Sequence, residues 1–115
     1  MKRAFFDNKP LPFVEGIVEE SCVMNLSIDS LLKKNDDPHT NCLVLKINSL
    51  KHRCMVPYAN YRIDKGERVV LYSYLQFYPP AAESYCQVCA LQVMGEAGKV
   101  KFTGIHSNGV EFREQ

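Results

Sequence analysis

The sequence predicts an all-β fold, a small antiparallel β-barrel of six or seven strands with one short helix or helical turn near residues 27–34. Three observations predict it. From Asp64 to Tyr78 the chain alternates with period two. Val69, Leu71, Leu75 and Phe77 share one face with Ser73; Arg68, Val70, Tyr72, Tyr74, Gln76 and Tyr78 share the other. Similar short runs recur along the chain, broken by Gly, Pro and Asn. Only one stretch reads as helical, so the strands must bury one another.

At 115 residues the chain is one domain that can bury a core without staples. Apolar content of 46% and charged content of 23% are those of an ordinary globular protein. The net charge of +1 gives no global field to attract nucleic acid or an anionic membrane. Met1 to Asn8 lacks the long apolar run of a signal peptide, and no stretch approaches the roughly 20 apolar residues of a membrane helix. Five cysteines make an odd set for a disulfide framework. These features predict a cytoplasmic chain with reduced thiols and no membrane insertion.

Residues 1–12 read as an N-terminal arm, punctuated by Pro10 and Pro12, and residues 13–115 as the barrel. Phe5, Phe6 and Phe13 either tuck the arm onto the barrel or anchor a partner. Phe13 to Leu26 is a first strand, with Val18, Cys22, Met24 and Leu26 on one face and Gly16 marking a bulge or bend. Ser27 to Lys34 forms one or two helical turns capped by Ser27 or Asp29, and Asn35 to Asn41 is a polar loop. Cys42 to Asn48 is a second strand, with Leu43, Leu45 and Ile47 inward. Arg53 to Tyr58 is a third, ended by Pro57.

Beyond Pro79-Pro80, Tyr85 to Met94 is apolar on both faces and so lies deep. Gly95 to Gly98 is a hairpin turn into Lys99 to Ile105, where Val100 and Phe102 point inward. Asn108-Gly109 is a second hairpin signal, and Val110 to Arg113 closes the sheet.

No catalytic or metal-binding constellation emerges. Cys86 and Cys89 form the one CxxC, but residues three apart on a strand point to opposite faces. Zinc would need a second ligand pair, whereas Cys22, Cys42, Cys54, His39, His52 and His106 are scattered. They read as apolar packing cysteines. His52 and Cys54 sit about 6–7 Å apart as i and i+2 on a strand, too far for a nucleophile–base hydrogen bond. The expectation is a non-enzyme with no cofactor.

The second face of the 64–78 strand carries Tyr72, Tyr74 and Tyr78, with Lys46, Arg53, Arg62 and Arg68 nearby. Aromatics among basic groups on an open sheet bind single-stranded nucleic acid by stacking. Alternatively, these tyrosines pack beneath the arm or the 27–41 segment, with their hydroxyls at the rim.

Two families are resembled, both β-barrels. Lys65-Gly66-Glu67-Arg68-Val69-Val70-Leu71 resembles the "G-x-x-V-x-L" strand of PilZ domains. Cys89-Ala90-Leu91-Gln92-Val93 resembles the strand that follows, and Gly109-Val110-Glu111-Phe112 the terminal "G-V-x-F". PilZ domains bind cyclic diguanylate through R-x-x-x-R, with arginines stacking on guanine and gripping phosphate. Here Arg3, Arg53, Arg62, Arg68 and Arg113 include no pair four apart. Asn25-Leu26-Ser27 begins the family's second motif, but Ser30 replaces its glycine. The resemblance therefore implies a degenerate member that works as a protein-binding adaptor in bacterial signalling or surface motility. Ile63 to Leu75 also resembles the "L-K-K-G-D-x-V-x-V-x-G-x-L" rhythm of the single-strand-binding OB-fold, with Tyr74 in place of its last glycine. The Gly-Val-Glu-Phe hairpin has no counterpart there, which favours the PilZ reading. The partners expected are thus a protein first, then a cyclic dinucleotide or single-stranded nucleic acid. A long strand with an exposed edge also leaves a homodimer open.

Overall fold

The structure is a computed structural model that describes residues 2–27, 39–74, 77 and 85–114. The fold is mostly β. Among the described residues ten strands follow in order: β1 (Lys2–Phe6), β2 (Lys9–Pro10), β3 (Phe13–Ser27), β4 (His39–Ile47), β5 (Cys54–Val56), β6 (Arg68–Tyr72), β7 (Cys86–Gln87), β8 (Ala90–Met94), β9 (Val100–Ile105) and β10 (Val110–Glu114). They form a seven-stranded sheet of order β7-β5-β4-β3-β6-β8-β9 and a three-stranded sheet of order β10-β1-β2.

The large sheet is not closed by hydrogen bonds into a barrel, since β7 and β9 are its edges. Its two halves share β3, which pairs with β6 through Phe13–Ile17 and with β4 from Val18 onward. The register shifts between Val18 and Glu20, a bulge that bends the strand where it passes between partners. Gly16 serves a different purpose from the bulge. A Cβ there would lie 2.7 Å from Ser49 Oγ, because the turn after β4 crosses the strand at that point. Ser49 Oγ donates to the Glu15 carbonyl at 2.5 Å, and the Ile17 N–H donates to Asn48 Oδ1 at 2.9 Å. One pairing is parallel, that of β5 with β7. Two residues after β7 the same segment becomes β8 and pairs with β6. Residues 86–94 therefore connect one edge of the sheet to β8, next to its other edge strand β9, through the chain itself.

Strand alternation builds two cores. Leu43, Leu45 and Ile47 of β4, Val69 and Leu71 of β6, and Leu91 and Val93 of β8 fill the first. Val70 and Tyr72, the alternate residues of β6, turn the other way into a second core with Ala4, Leu11, Cys89, Ala90 and Val110. The segment 86–94 feeds both, and this accounts for its two-sided apolar sequence.

The N-terminal segment is not an irregular arm. β1 and β2 form a hairpin around Asp7 and Asn8, both at positive φ (51° and 63°), a conformation these side chains tolerate. β10 pairs with β1 from Lys2↔Glu114 to Phe6↔Val110, so the C-terminal strand joins the small sheet and does not close the large one. Residues 106–109 do turn the chain, but the strands they link belong to different sheets. The central strand β6 ends at Tyr72, before Ser73 and Tyr74; Leu75, Gln76 and Tyr78 of the expected strand lie outside the described residues. Val100 and Phe102 are exposed at 47% and 40%, so β9 does not point them into a core. Residues 28–38, which hold most of the expected helical turn and polar loop, lie outside the described residues.

Candidate functional site

Among the described residues, those expected to form a basic, tyrosine-bearing face are not all on an exposed surface. Tyr72 is 3% exposed and sits beneath the small sheet. Its ring meets Phe112 edge-on at 5.5 Å and Phe13 at 5.9 Å, and its hydroxyl donates to Gln92 Oε1 at 3.2 Å. Burial raises the pKa of that hydroxyl. Of the two readings of this face, packing beneath the N-terminal segment is the one the geometry satisfies for Tyr72. Tyr74 is half-exposed, edge-on to Phe6 at 4.8 Å and within 3.4 Å of the Asn108 carbonyl. Tyr78 lies outside the described residues.

The basic members are dispersed. Lys46 Nζ donates to the Leu50 and Ile47 carbonyls at 2.5 and 2.9 Å and pairs with Glu19 at 3.2 Å, so it ties a turn down. Arg53 pairs with Glu20 at 2.8 Å, and that hydrogen bond and charge raise its pKa. Arg62 and Arg68 are exposed. Arg3 lies 4.4 Å over the Phe13 ring, and Arg113 pairs with Glu111. The arginines are therefore distributed over β1, β6, β10 and the segments before and after β5.

A different surface has the character of a binding site. The loop after β5 and the strand β9 with its following turn enclose an open groove of about 790 Å³, lined among others by Tyr58, Asn60, Tyr61, Phe102, Ile105 and His106. None of its lining residues carries a carboxylate, ammonium or guanidinium. Pro57 ends β5 and is fully buried, and the chain then reverses at Tyr58 with φ of 54°. A bulky side chain in the left-handed region is strained by about 1–2 kcal/mol. Tyr58 carries that strain while 66% exposed, so its own packing does not offset it.

Tyr61 forms the floor. Its ring lies across β9, 4.7 Å from Phe102 and 5.5 Å from His106, and it crosses at Gly104. A Cβ at Gly104 would come within 2.7 Å of the Tyr61 hydroxyl, so glycine is required for this contact. The Tyr61 hydroxyl hydrogen-bonds His106 Nε2. Burial lowers the His106 pKa, and a hydrogen bond to the Pro57 carbonyl offsets part of that shift. Burial raises the Tyr61 pKa. Both shifts favour the neutral forms, in which His106 Nε2 can accept from the Tyr61 hydroxyl while the ring's other nitrogen donates to Pro57. The groove thus presents rings, amides and a neutral hydrogen-bonded pair.

β9 adds a backbone component. The His106 N–H donates to the Cys89 carbonyl at 2.8 Å. By antiparallel alternation, Gly104 and Phe102 also bond inward to β8, while Thr103 and Ile105 direct their N–H and C=O groups outward. Among the described residues no strand pairs with that outer side.

The cysteines separate as strand geometry demands. Cys86 lies in the first core and Cys89 in the second, where its Sγ is 3.3 Å from the Tyr72 carbonyl. Cys42 and Cys54 are buried, whereas Cys22 is exposed. His52 is exposed and Cys54 fully buried. Among the described residues no group of three His, Cys, Asp or Glu side chains gathers around a common point, and no helix is long and apolar enough to cross a membrane.

The sequence held two signals for the groove. Gly104 sits inside a strand, the mark of a close approach, and Tyr58-Ala59-Asn60-Tyr61 breaks period two directly after Pro57. No family model, curated protein or solved structure matches this chain.

Proposed function

We propose that the protein is a non-catalytic adaptor that recognises a partner protein by adding a partner strand to β9, with the adjoining groove receiving that strand's side chains. The observation that carries this is a sheet edge that, among the described residues, is unpaired and lies beside a groove with exposed aromatic rings and no charged lining. An added strand gains main-chain hydrogen bonds at Thr103 and Ile105, and alternate side chains find Tyr58 and Tyr61. The uncharged lining suits a polypeptide better than a phosphodiester backbone, whose binding is dominated by cationic contacts.

A photo-crosslinking residue at position 58, in the cells that produce the protein, tests this. The expected result is an adduct with a defined polypeptide that is lost in Thr103→Pro. Proline removes an outward N–H but leaves the inward ladder to β8 intact. An adduct that survives Thr103→Pro unchanged would sink the strand-addition reading.

A second reading, single-stranded nucleic-acid binding, is favoured by the strand order. The long shared first strand, the succession β3-β4-β5-(β7/β8)-β6 and the parallel pairing of β5 with β7 support this reading, because an OB-fold barrel would use such an arrangement. On this reading Tyr58 and Phe102 would stack bases. Fluorescence anisotropy with a labelled oligonucleotide at low salt separates the two, with a salt-sensitive rise supporting the nucleic-acid reading.

A further inference from the structure

Cys54 and Cys86 are direct partners in the parallel pairing of β5 with β7, with Met55 opposite Gln87 next along. Paired residues on parallel strands project to the same face, and both side chains enter the first core. Adjacent strands lie about 4.8 Å apart, within the roughly 4.4–6.8 Å between Cα atoms that a disulfide spans. Each thiol shifts the pKa of the other, raising that of Cys54 and lowering that of Cys86. Cys89, Cys42 and Cys22 are placed differently: in the second core, on β4 with its Sγ 3.6 Å from the Thr40 carbonyl, and on the exposed part of β3.

We propose that Cys54 and Cys86 are a redox site, a dithiol that a peroxide converts to a disulfide bolting β5 to β7. The two sulfurs are unequal. Cys54 is fully buried, and Cys86 together with burial raises its pKa. Cys86 lies on the edge strand at 7% exposure, and Cys54 holds its thiol down at about 7. Cys86 is thus the thiolate that attacks. Its sulfur bonds to one peroxide oxygen, the O–O bond breaks, and water or an alcohol leaves with a proton, giving a sulfenic acid. The Cys54 sulfur then displaces the hydroxyl, which departs as water with the Cys54 proton. Two thiols lose two electrons and the peroxide gains them. Because β7 runs on into β8, the bond ties β5 to the segment that continues into β8, between β6 and β9 in the sheet order.

The test is to treat fully reduced protein with stoichiometric hydrogen peroxide, alkylate it in denaturant, and map peptides by mass spectrometry. The expected product is a single Cys54–Cys86 cross-link two hydrogens lighter than the dithiol. Of five free cysteines, the linked pair leaves three that alkylate. The denaturation midpoint should rise and return on adding dithiothreitol. Cys86→Ser should abolish the cross-link and Cys89→Ser should keep it. Five alkylated thiols after oxidation, or a cross-link through Cys89, would overturn the proposal. The wild-type peptide map decides the question whether or not the serine variants fold.

Discussion

Tyr72 and Tyr58 stand at opposite extremes, 3% against 66% exposed, and they divide the molecule into a part that holds and a part that offers. Tyr72 sits on a regular strand between two sheets, with its ring between aromatics and its hydroxyl satisfied by Gln92. Tyr58 sits in an irregular turn at positive φ, its ring turned to solvent beside an open groove. Tyrosine on a strand is not in itself a binding face. What decides its role is whether another layer covers it, and here the cover is the sheet made by the two chain ends.

The largest expected effect falls on the covered side. Tyr72→Ala removes a buried ring and leaves Gln92 without its partner, so it should lower stability by about 3–5 kcal/mol. Chemical denaturation checks this, and a loss below about 1 kcal/mol would mean that the small sheet does not seal that face.

Gly104→Ala sharpens the contrast from the other side. The added methyl would sit 2.7 Å from the Tyr61 hydroxyl and 2.9 Å from His106 Nε2, forcing the floor of the groove to move. We expect a loss of about 1–3 kcal/mol, with NMR shift changes centred on Tyr61, Phe102 and His106 and little change at Tyr72.

The smallest effect is a pH dependence confined to the groove. The folded pKa of His106 is lowered from the ordinary 6.5 by burial. Below 6.5 the unfolded chain takes up the proton more readily than the folded one, so stability rises with pH. The contribution is complete above about 6.5 and is lost as pH falls through the lower folded value. Denaturation midpoints from pH 7.5 to 5 should decline, and that part of the decline should vanish in His106→Gln.

How much of this was legible in the sequence follows from the range of each interaction. Leu43, Leu45 and Ile47 alternate into the core because period two is a local property, and Pro57 ends β5 because it lacks an N–H. The two-sided burial of 86–94 was visible in its unbroken apolar run. The fate of the tyrosine face was not, because it depends on β1 pairing with β10 from opposite ends of the chain. Nothing in Lys2–Phe6 states that partner. The same blindness made Asn108-Gly109 look like a hairpin within one sheet, when it is a turn between two. It also placed Val100 and Phe102 inward, since alternation assigns faces without saying which face is covered. The groove was missed because it is built from a non-periodic turn laid over a glycine, and pattern reading passes over both.

The most direct test is the yield of the position-58 photo-crosslink in two variants, each measured below its own melting temperature. If the groove and the outer edge of β9 form the recognition surface, Tyr72→Ala retains the adduct while Thr103→Pro loses it. An adduct lost with Tyr72→Ala and kept with Thr103→Pro would contradict that account and return function to the tyrosine-bearing strand.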